Sequence, residues 1–221
     1  MLKKLLLFVM LVGLTLPACS FFQFSTGSIR GSGHTTTESR SASDFNAISL
    51  EGSADVNVTF GPNEGLTVEA DDNLLPYIET VVRNNQLVIR TRPGTSITTT
   101  NPVRVNVTMK ALEDLSLRGS GSITAPGYSG TALTVSLPGS GDITVNGTAD
   151  QVKISLSGSG NVNLNDLKAK AATVSLNGSG NVSVNASESL DASITGSGNI
   201  RYSGNPAKVT KVVRGSGTIQ Q

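Results

Sequence analysis

The stretch Val135-Ser-Leu-Pro-Gly-Ser-Gly-Asp-Ile-Thr-Val145 decides the fold of this chain. Its apolar residues and its two glycines occupy every second position, while Ser, Pro, Asp and Thr occupy the positions between them. Because successive side chains of a β-strand point to opposite faces, this alternation predicts a half-buried strand. Both glycines are predicted to lie on the inward face, where the chain bends and a Cβ has no room, and the serine between them to face solvent.

The Gly-Ser-Gly motif returns five more times with the same flanking pattern. Its first glycines are Gly119, Gly139, Gly158, Gly178, Gly196 and Gly215, in steps of 18 to 20 residues. A fixed period of this length is typical of a solenoid, in which each repeat stacks on the one before it. We therefore predict an all-β fold, a right-handed parallel β-helix with coils of about 19 residues. An antiparallel array of hairpins, one per repeat, is the alternative.

A similar strand pattern occurs much earlier, before the regular period begins. It comprises Ile48, Leu50, Gly52, Ala54, Val56 and Val58, with Ala54 in place of the second glycine. This predicts a first coil and, with the six Gly-Ser-Gly motifs, seven coils in all. Residues 60–112 interrupt the period and are predicted to form an irregular β portion. Within them, a hairpin is expected with Asn84 and Asn85 at its tip.

The first residues of the chain have the pattern of an export signal. Lys3 and Lys4 precede an apolar run that is too short to span a bilayer, which predicts a signal peptide over residues 1–18. Residues 16–19, Leu-Pro-Ala-Cys, resemble the lipobox of bacterial lipoproteins. We therefore expect lipidation of Cys19, the single cysteine of the chain, and attachment to a membrane through that lipid. Residues 19–43 are rich in Ser, Thr and Gly and are predicted to be a flexible tether, followed by the domain at residues 44–221.

The residue after the cysteine bears on the location of the protein. Ser20, rather than an aspartate, follows Cys19. In Gram-negative lipoproteins this resemblance implies transfer to the outer membrane, with the periplasmic or the surface face left open.

Composition argues against several classes of function. Without Lys3 and Lys4 the chain has 15 basic and 16 acidic residues, so no basic patch predicts a nucleic-acid partner. The single histidine, His34, lies in the predicted tether, which leaves no partner for a nucleophile–base pair. Neighbouring repeats offer no pair of outward carboxylates for acid–base catalysis. We therefore predict no catalytic residues, no cofactor and no metal site.

The outward positions at the motif form the candidate binding face. These positions are Ser140, Asp142, Ser159, Asn161, Ser179, Asn181, Ser197 and Asn199. In a β-helix they stack into a weakly charged column of hydrogen-bonding groups. Two interpretations stay open: a solvated face whose side chains bond to one another along the rod, or a binding surface for a glycan or a protein partner.

Three sequence segments together resemble a known family. They are the segment from Phe45 to Val56, the segment Ala70-Asp-Asp-Asn-Leu-Leu75, and the Gly-Ser-Gly-Asp/Asn-Ile/Val repeats. Over residues 44–217 the chain resembles the head GIN domain family, whose members are labelled "putative auto-transporter adhesins" and are often bacterial lipoproteins. The resemblance implies a β-helix-like fold and no established catalytic residues.

Taken together, these features predict a lipid-anchored envelope protein that acts as a non-catalytic binding or adhesion module. Its expected location is the outer membrane, and its expected ligand is a glycan or a protein. A structural or regulatory lipoprotein facing the periplasm is the first alternative. A polysaccharide-active enzyme is the second.

Overall fold

A computed structural model describes residues 27–221 of the chain. These residues form seventeen β-strands and one turn of 3-10 helix at Leu75–Tyr77. The strands are β1 Ile29–Arg30, β2 Thr35–Arg40, β3 Ala47–Gly52, β4 Asp55–Phe60, β5 Gly65–Asp71, β6 Ile78–Arg83, β7 Gln86–Thr91, β8 Ile97–Thr98, β9 Arg104–Met109, β10 Asp114–Gly119, β11 Ser122–Leu137, β12 Asp142–Gly158, β13 Asn161–Gly178, β14 Asn181–Gly196, β15 Asn199–Ser203, β16 Lys208–Gly215 and β17 Thr218–Gln220. The predicted signal peptide (residues 1–18) and Cys19 lie outside the described residues. Among residues 27–221, no helix is long and apolar enough to span a membrane.

The regular part of the molecule is a stack of parallel coils. Strands β11 to β14 each run from one Gly-Ser-Gly corner to the next and pair in parallel with their neighbours. Equivalent residues of consecutive coils therefore lie side by side, as Ile143 does between Ile123 and Val162. The prediction of a parallel β-helix is confirmed, and the alternative of antiparallel hairpins is wrong. The stack has about five turns rather than the predicted seven coils, and the N-terminal strands are irregular.

The interior of the coils is filled by ladders of aliphatic side chains. Leu137, Leu156, Leu176 and Ile194 stack in register and are all 0% exposed. Burial of each such side chain contributes about 1.5–3 kcal/mol to folding. The alternation in the sequence therefore predicted the buried face correctly.

Glycine is required at the corners chiefly because the coils approach each other closely. Gly178 has a φ of +138°, and a Cβ on it would overlap the carbonyl group of Gly158 in the preceding coil. A Cβ on Gly160 would overlap the carbonyl oxygen of Gly141 and lie 2.9 Å from Cδ2 of Leu137. In the first five motifs the second glycine is buried as predicted, whereas the first is only half-buried; in the last motif Gly215 is exposed and Gly217 is half-buried. The steric limit is therefore set by the neighbouring backbone as well as by the interior.

Residues 60–112 close one end of the stack and include a coil that is out of chain order. Strand β7 pairs in parallel with β3, and β9 pairs in parallel with β4, so these two strands form a coil on the outer side of the first one. Strands β6 and β5 then add antiparallel to β7 and β9. The predicted hairpin is confirmed: Asn84 and Asn85 join β6 to β7 with φ values of 49° and 60°.

Part of the predicted tether belongs to this cap. Strand β2 pairs antiparallel with β5 from Thr35 beside Asp71 to Arg40 beside Leu66, and β1 pairs with β8. The Arg40 guanidinium also donates to the backbone oxygen of Leu75 at 2.8 Å. The prediction of a flexible tether is therefore wrong for the strand residues of this segment. Their polar composition reflects a strand that is largely exposed, and pairing with β5 covers an otherwise open sheet edge.

Candidate functional site

Hydrogen-bonded side chains run along the rod beside the Gly-Ser-Gly corners. Asn161 Nδ2 donates to Asp142 Oδ1 at 2.7 Å, and Asn181 Nδ2 donates to Asn161 Oδ1 at 2.9 Å. Asn199 Nδ2 donates to Asn181 Oδ1 at 3.1 Å, and the Thr218 hydroxyl continues the series to Asn199 Oδ1 at 2.7 Å. A carboxamide has two N–H donors and two lone pairs on its oxygen. Each of the three asparagines therefore keeps one N–H and one lone pair for water or a ligand.

The serines of the corners form a second column next to this ladder. Ser140, Ser159, Ser179 and Ser197 are exposed. Their backbone N–H groups bond to glycine carbonyls of the preceding coil, as Ser159 N does to Gly139 O at 3.2 Å. Their hydroxyls form no hydrogen bond with another residue of the 27–221 range, so both the donor and the acceptor of each hydroxyl face solvent.

The structure thus brings all eight predicted site residues onto one surface, which we call the Ser–Asn face. Its two columns repeat with the spacing between strands, about 4.8 Å. The hydrogen-bonded side-chain ladder of the first interpretation, a solvated face, is present in the structure. It leaves enough free hydrogen-bonding groups for the second interpretation, a binding surface.

A shallow groove of about 310 Å³ adjoins the Ser–Asn face and contains a residue that sequence reasoning missed. Its lining includes Asn181, Asn199, Ser183 and Arg201. Arg201 pairs in register with Ser183 and is exposed, so it places a cation beside the polar columns. The signal was available in the sequence, because Arg201 lies two positions after Asn199 and shares its outward parity.

A larger groove of about 700 Å³ lies at a different corner of the coils. Its lining includes Asp150, Lys168 and Lys170. Lys170 Nζ lies 2.7 Å from Asp150 Oδ1, and this hydrogen bond, with the charge of Asp150, raises the pKa of Lys170. A lysine held in its charged form is a poor general base. The sequence period does not reveal this groove, because it arises where the pairing register shifts, as between Thr144 and Gly147.

Two neighbouring carboxylates in the cap hold loops together. Asp71 accepts hydrogen bonds from the backbone of Thr100 at 2.9 Å and from Nδ2 of Asn101 at 2.7 Å. The Thr100 N–H is the largest cause that lowers the pKa of Asp71, and the Ser32 hydroxyl is the largest that lowers the pKa of Asp72. Both carboxyls are therefore ionised at neutral pH and unsuited to act as general acids. Within residues 27–221, no group of three or more His, Cys, Asp or Glu side chains could hold a metal ion.

Solved structures of bacterial proteins share this fold. A "putative adhesin" from Bacteroides fragilis is 24% identical with a TM-score of 0.74, and the match covers 87% of this chain and 99% of that one. A "putative lipid binding protein" from Parabacteroides distasonis is 26% identical with a TM-score of 0.60, over 88% of this chain and 99% of that one. A "putative adhesin" from Parabacteroides merdae is 24% identical with a TM-score of 0.62, over 87% and 98%. No curated protein matches the chain.

The family comparison agrees with the resemblance carried by the repeats. The model of the family described as "putative auto-transporter adhesin, head GIN domain" matches residues 44–206. This range contains the first coil, the cap strands from β5 to β9, and five of the six Gly-Ser-Gly corners. The chain therefore belongs to the head GIN domain family.

Proposed function

We propose that this protein is a lipid-anchored binding or adhesion module of the cell envelope, without catalytic activity. It engages a glycan or a protein through the Ser–Asn face. The name of the family and the names of two structural neighbours support a binding role in the cell envelope. The lipid on Cys19 supplies the membrane attachment.

The observation that carries the proposal is the exposed column of free hydroxyls beside an amide ladder that is ordered and still has free donors and acceptors. The ladder orients each amide, so little side-chain freedom is lost when a ligand bonds to it. An extended ligand lying along the rod meets a serine hydroxyl and an amide on three successive coils, and a serine hydroxyl and the Asp142 carboxylate on a fourth. Each such hydrogen bond contributes about 0.5–1.5 kcal/mol, and several coils act together.

The environment of the acidic residues supports a non-catalytic role. Asp142 is the one carboxylate among the eight residues of the Ser–Asn face, and it accepts a hydrogen bond from Asn161. Hydrolysis of a glycosidic bond ordinarily uses two carboxylates that flank the bond. The Ser–Asn face therefore offers recognition chemistry, and no pair of acids to carry out cleavage.

One structural neighbour is described as a lipid-binding protein, so an internal lipid is the obvious competing ligand. The inward positions of the coils are occupied by stacked aliphatic side chains such as Leu156 and Leu176, both 0% exposed. An acyl chain would have to displace this packing. We therefore assign the lipid of this protein to the anchor and its ligand to the outer surface.

The anchor and the location are tested in cells of the native host. Labelling with an alkyne fatty acid should mark the wild-type chain and leave Cys19→Ser unmarked. Intact and permeabilised cells are then treated with protease, and digestion of the protein is monitored through a tag at its C-terminus. Digestion on intact cells is expected for a surface adhesin. Digestion only after permeabilisation would contradict adhesion and favour a structural or regulatory lipoprotein facing the periplasm.

A further inference from the structure

The corners of the coils share a backbone device that binds one oxygen atom. At the corner of residues 158–160, the N–H groups of Ser159 and Gly160 both donate to the carbonyl oxygen of Gly139, at 3.2 and 3.3 Å. The same paired bonds to one glycine oxygen occur at four other corners, with donors Ser120 and Gly121, Ser179 and Gly180, Ser197 and Gly198, and Ser216 and Gly217. Two adjacent N–H groups that converge in this way form a small pocket for an electronegative atom.

The corner of the first coil, Gly52-Ser53-Ala54, has no coil corner beneath it. The chain leaves the outer coil after β7, and the loop of residues 92–103 runs aside to pair β8 with β1 before β9 begins. Among residues 27–221, nothing accepts a hydrogen bond from the N–H groups of Ser53 and Ala54. The space in front of these two donors is therefore not filled by a backbone carbonyl.

Two further observations show that this space is open. A Cβ added to Gly52 would have no atom within 4 Å, whereas one on Gly119 would overlap the carbonyl oxygen of Gly52. Ala54 carries a methyl group at the position where a Cβ on Gly121 or Gly160 would overlap a backbone oxygen. The first position of this corner therefore lacks the backbone contact found at the later corners, although the carbonyl oxygen of Val103 accepts a hydrogen bond from Asp55 N at 2.9 Å beside the second position.

A cavity of about 290 Å³ occupies the space in front of the corner. Its apolar lining comes from Leu50, Ile78, Ile89 and Val103, and its hydroxyl lining from Thr91, Thr95, Ser96 and Thr99. Arg90 also lines it, but its Nε lies 3.1 Å from Glu79 Oε2 and its Nη1 lies 4.0 Å from Glu51 Oε2. Because Glu79 Oε1 also lies 3.6 Å from Arg92 Nε, the two carboxylates together balance the charges of two arginines. The cavity suits a small neutral ligand that carries a strong acceptor oxygen.

We propose that this cavity binds the acetamido group of an N-acetylated sugar. The amide oxygen takes the place that a glycine carbonyl oxygen occupies at the other corners and accepts from Ser53 N and Ala54 N. The acetamido methyl packs against the apolar wall at Ile97 and Val103, and the sugar hydroxyls meet the Thr and Ser side chains at the mouth. The volume lies at the lower end of the range for small-molecule sites, which fits one monosaccharide unit. The inference rests on the proposed glycan binding and places a specificity site outside the Ser–Asn face.

Amide chemical shifts of the ¹⁵N-labelled full chain in detergent provide the first test. N-acetylglucosamine should shift the Ser53 and Ala54 resonances with a dissociation constant on the order of 1 mM. Glucose, which has a hydroxyl in place of the acetamido group, should leave both resonances unchanged at the same concentration. The absence of a shift with N-acetylglucosamine would overturn the inference. An equal or larger response to sodium acetate would also overturn it, since the site would then select anions.

Substitutions at the corner separate backbone recognition from side-chain recognition. Ser53→Pro removes one of the two N–H donors and should weaken N-acetylglucosamine binding at least tenfold, while Ser53→Ala keeps the donor and should bind like the wild type. Thr99→Trp fills the mouth of the cavity from an exposed loop position and should abolish the shifts, even if Ser53→Pro fails to fold. Wild-type binding by Thr99→Trp would overturn the inference.

The outcomes for this site and for the proposed function are distinct. If N-acetylglucosamine shifted only amide resonances of the Ser–Asn face, the cavity would not be the binding site, but the proposed glycan binding would stand. Shifts at Ser53 and Ala54, in a chain that binds no glycan or protein on arrays, would support the cavity and contradict the adhesion function.

Discussion

Replacement of Gly160 by alanine tests why glycine recurs in this chain. The added Cβ would overlap the carbonyl oxygen of Gly141 and lie 2.9 Å from Cδ2 of Leu137. The same oxygen accepts a hydrogen bond from Asn161 N at 3.0 Å, so moving the coils apart weakens that bond. Overpacking costs about 1–3 kcal/mol, and the strained hydrogen bond adds about 0.5–1.5 kcal/mol. We expect a loss of about 3 kcal/mol in the free energy of unfolding.

The measurement is urea unfolding followed by far-ultraviolet circular dichroism, because the chain has no tryptophan. With an m-value of about 2 kcal/mol/M, the Gly160→Ala midpoint should fall by about 1.5 M. The matched control is Ala54→Gly, at the corner whose second position already carries a methyl group. It should cost about 0.5–1 kcal/mol through chain entropy and lost packing. The steric explanation would be refuted if Gly160→Ala, at an unchanged m-value, lowered the midpoint no more than Ala54→Gly.

Three further predictions concern the interior, the ladder and the cap. Leu176→Ala should destabilise the protein by about 2–5 kcal/mol in thermal or urea unfolding, because the side chain is fully buried. The control is Thr173→Ala at an exposed position. Equal destabilisation by the two substitutions would contradict the packing of Leu176 in the interior. Asn161→Asp replaces the donor to Asp142 by a like charge. It should cost about 1 kcal/mol at pH 7 in urea unfolding, because the hydrogen bond is lost and the two carboxylates repel each other. Asp71 has a pKa lowered from 3.8, chiefly by the Thr100 N–H, so its stabilisation is present above that pH and is lost as the pH falls through the folded-state pKa. Asp71→Asn should therefore melt at a lower temperature than the wild type at pH 7 and lose less on acidification; equal pH dependence of the two melting temperatures would contradict this.

The sequence was sufficient for those parts of the fold that repeat locally. Residues such as Leu137 and Leu156 show the inward face directly, because a strand alternates its side chains and the period places equivalent residues together. The Asn ladder followed from the same register. These features depend on the residue type at each position and on the spacing, both of which the sequence displays.

The cap could not be predicted in the same way, because it depends on pairing between distant residues. Nothing in the local sequence of β7 states that Leu87 lies beside Ile48, or that β9 completes a coil outside the first one. The strand β2 was hidden by its polar composition, which also suits a tether. The free N–H groups of Ser53 and Ala54 could not be predicted, because they depend on how the loop of residues 92–103 turns aside.

The most direct test of the account is the binding of the purified full chain to arrays of glycans and matrix proteins. Wild-type protein should bind at least one class of ligand. The quadruple change of Ser140, Ser159, Ser179 and Ser197 to alanine should lower that affinity at least tenfold without changing the melting temperature, since the hydroxyls are exposed. A matched change on another exposed surface, Lys153→Ala with Thr173→Ala, should bind like the wild type. Equal binding by the quadruple variant and the wild type would contradict the assignment of the Ser–Asn face as the binding surface.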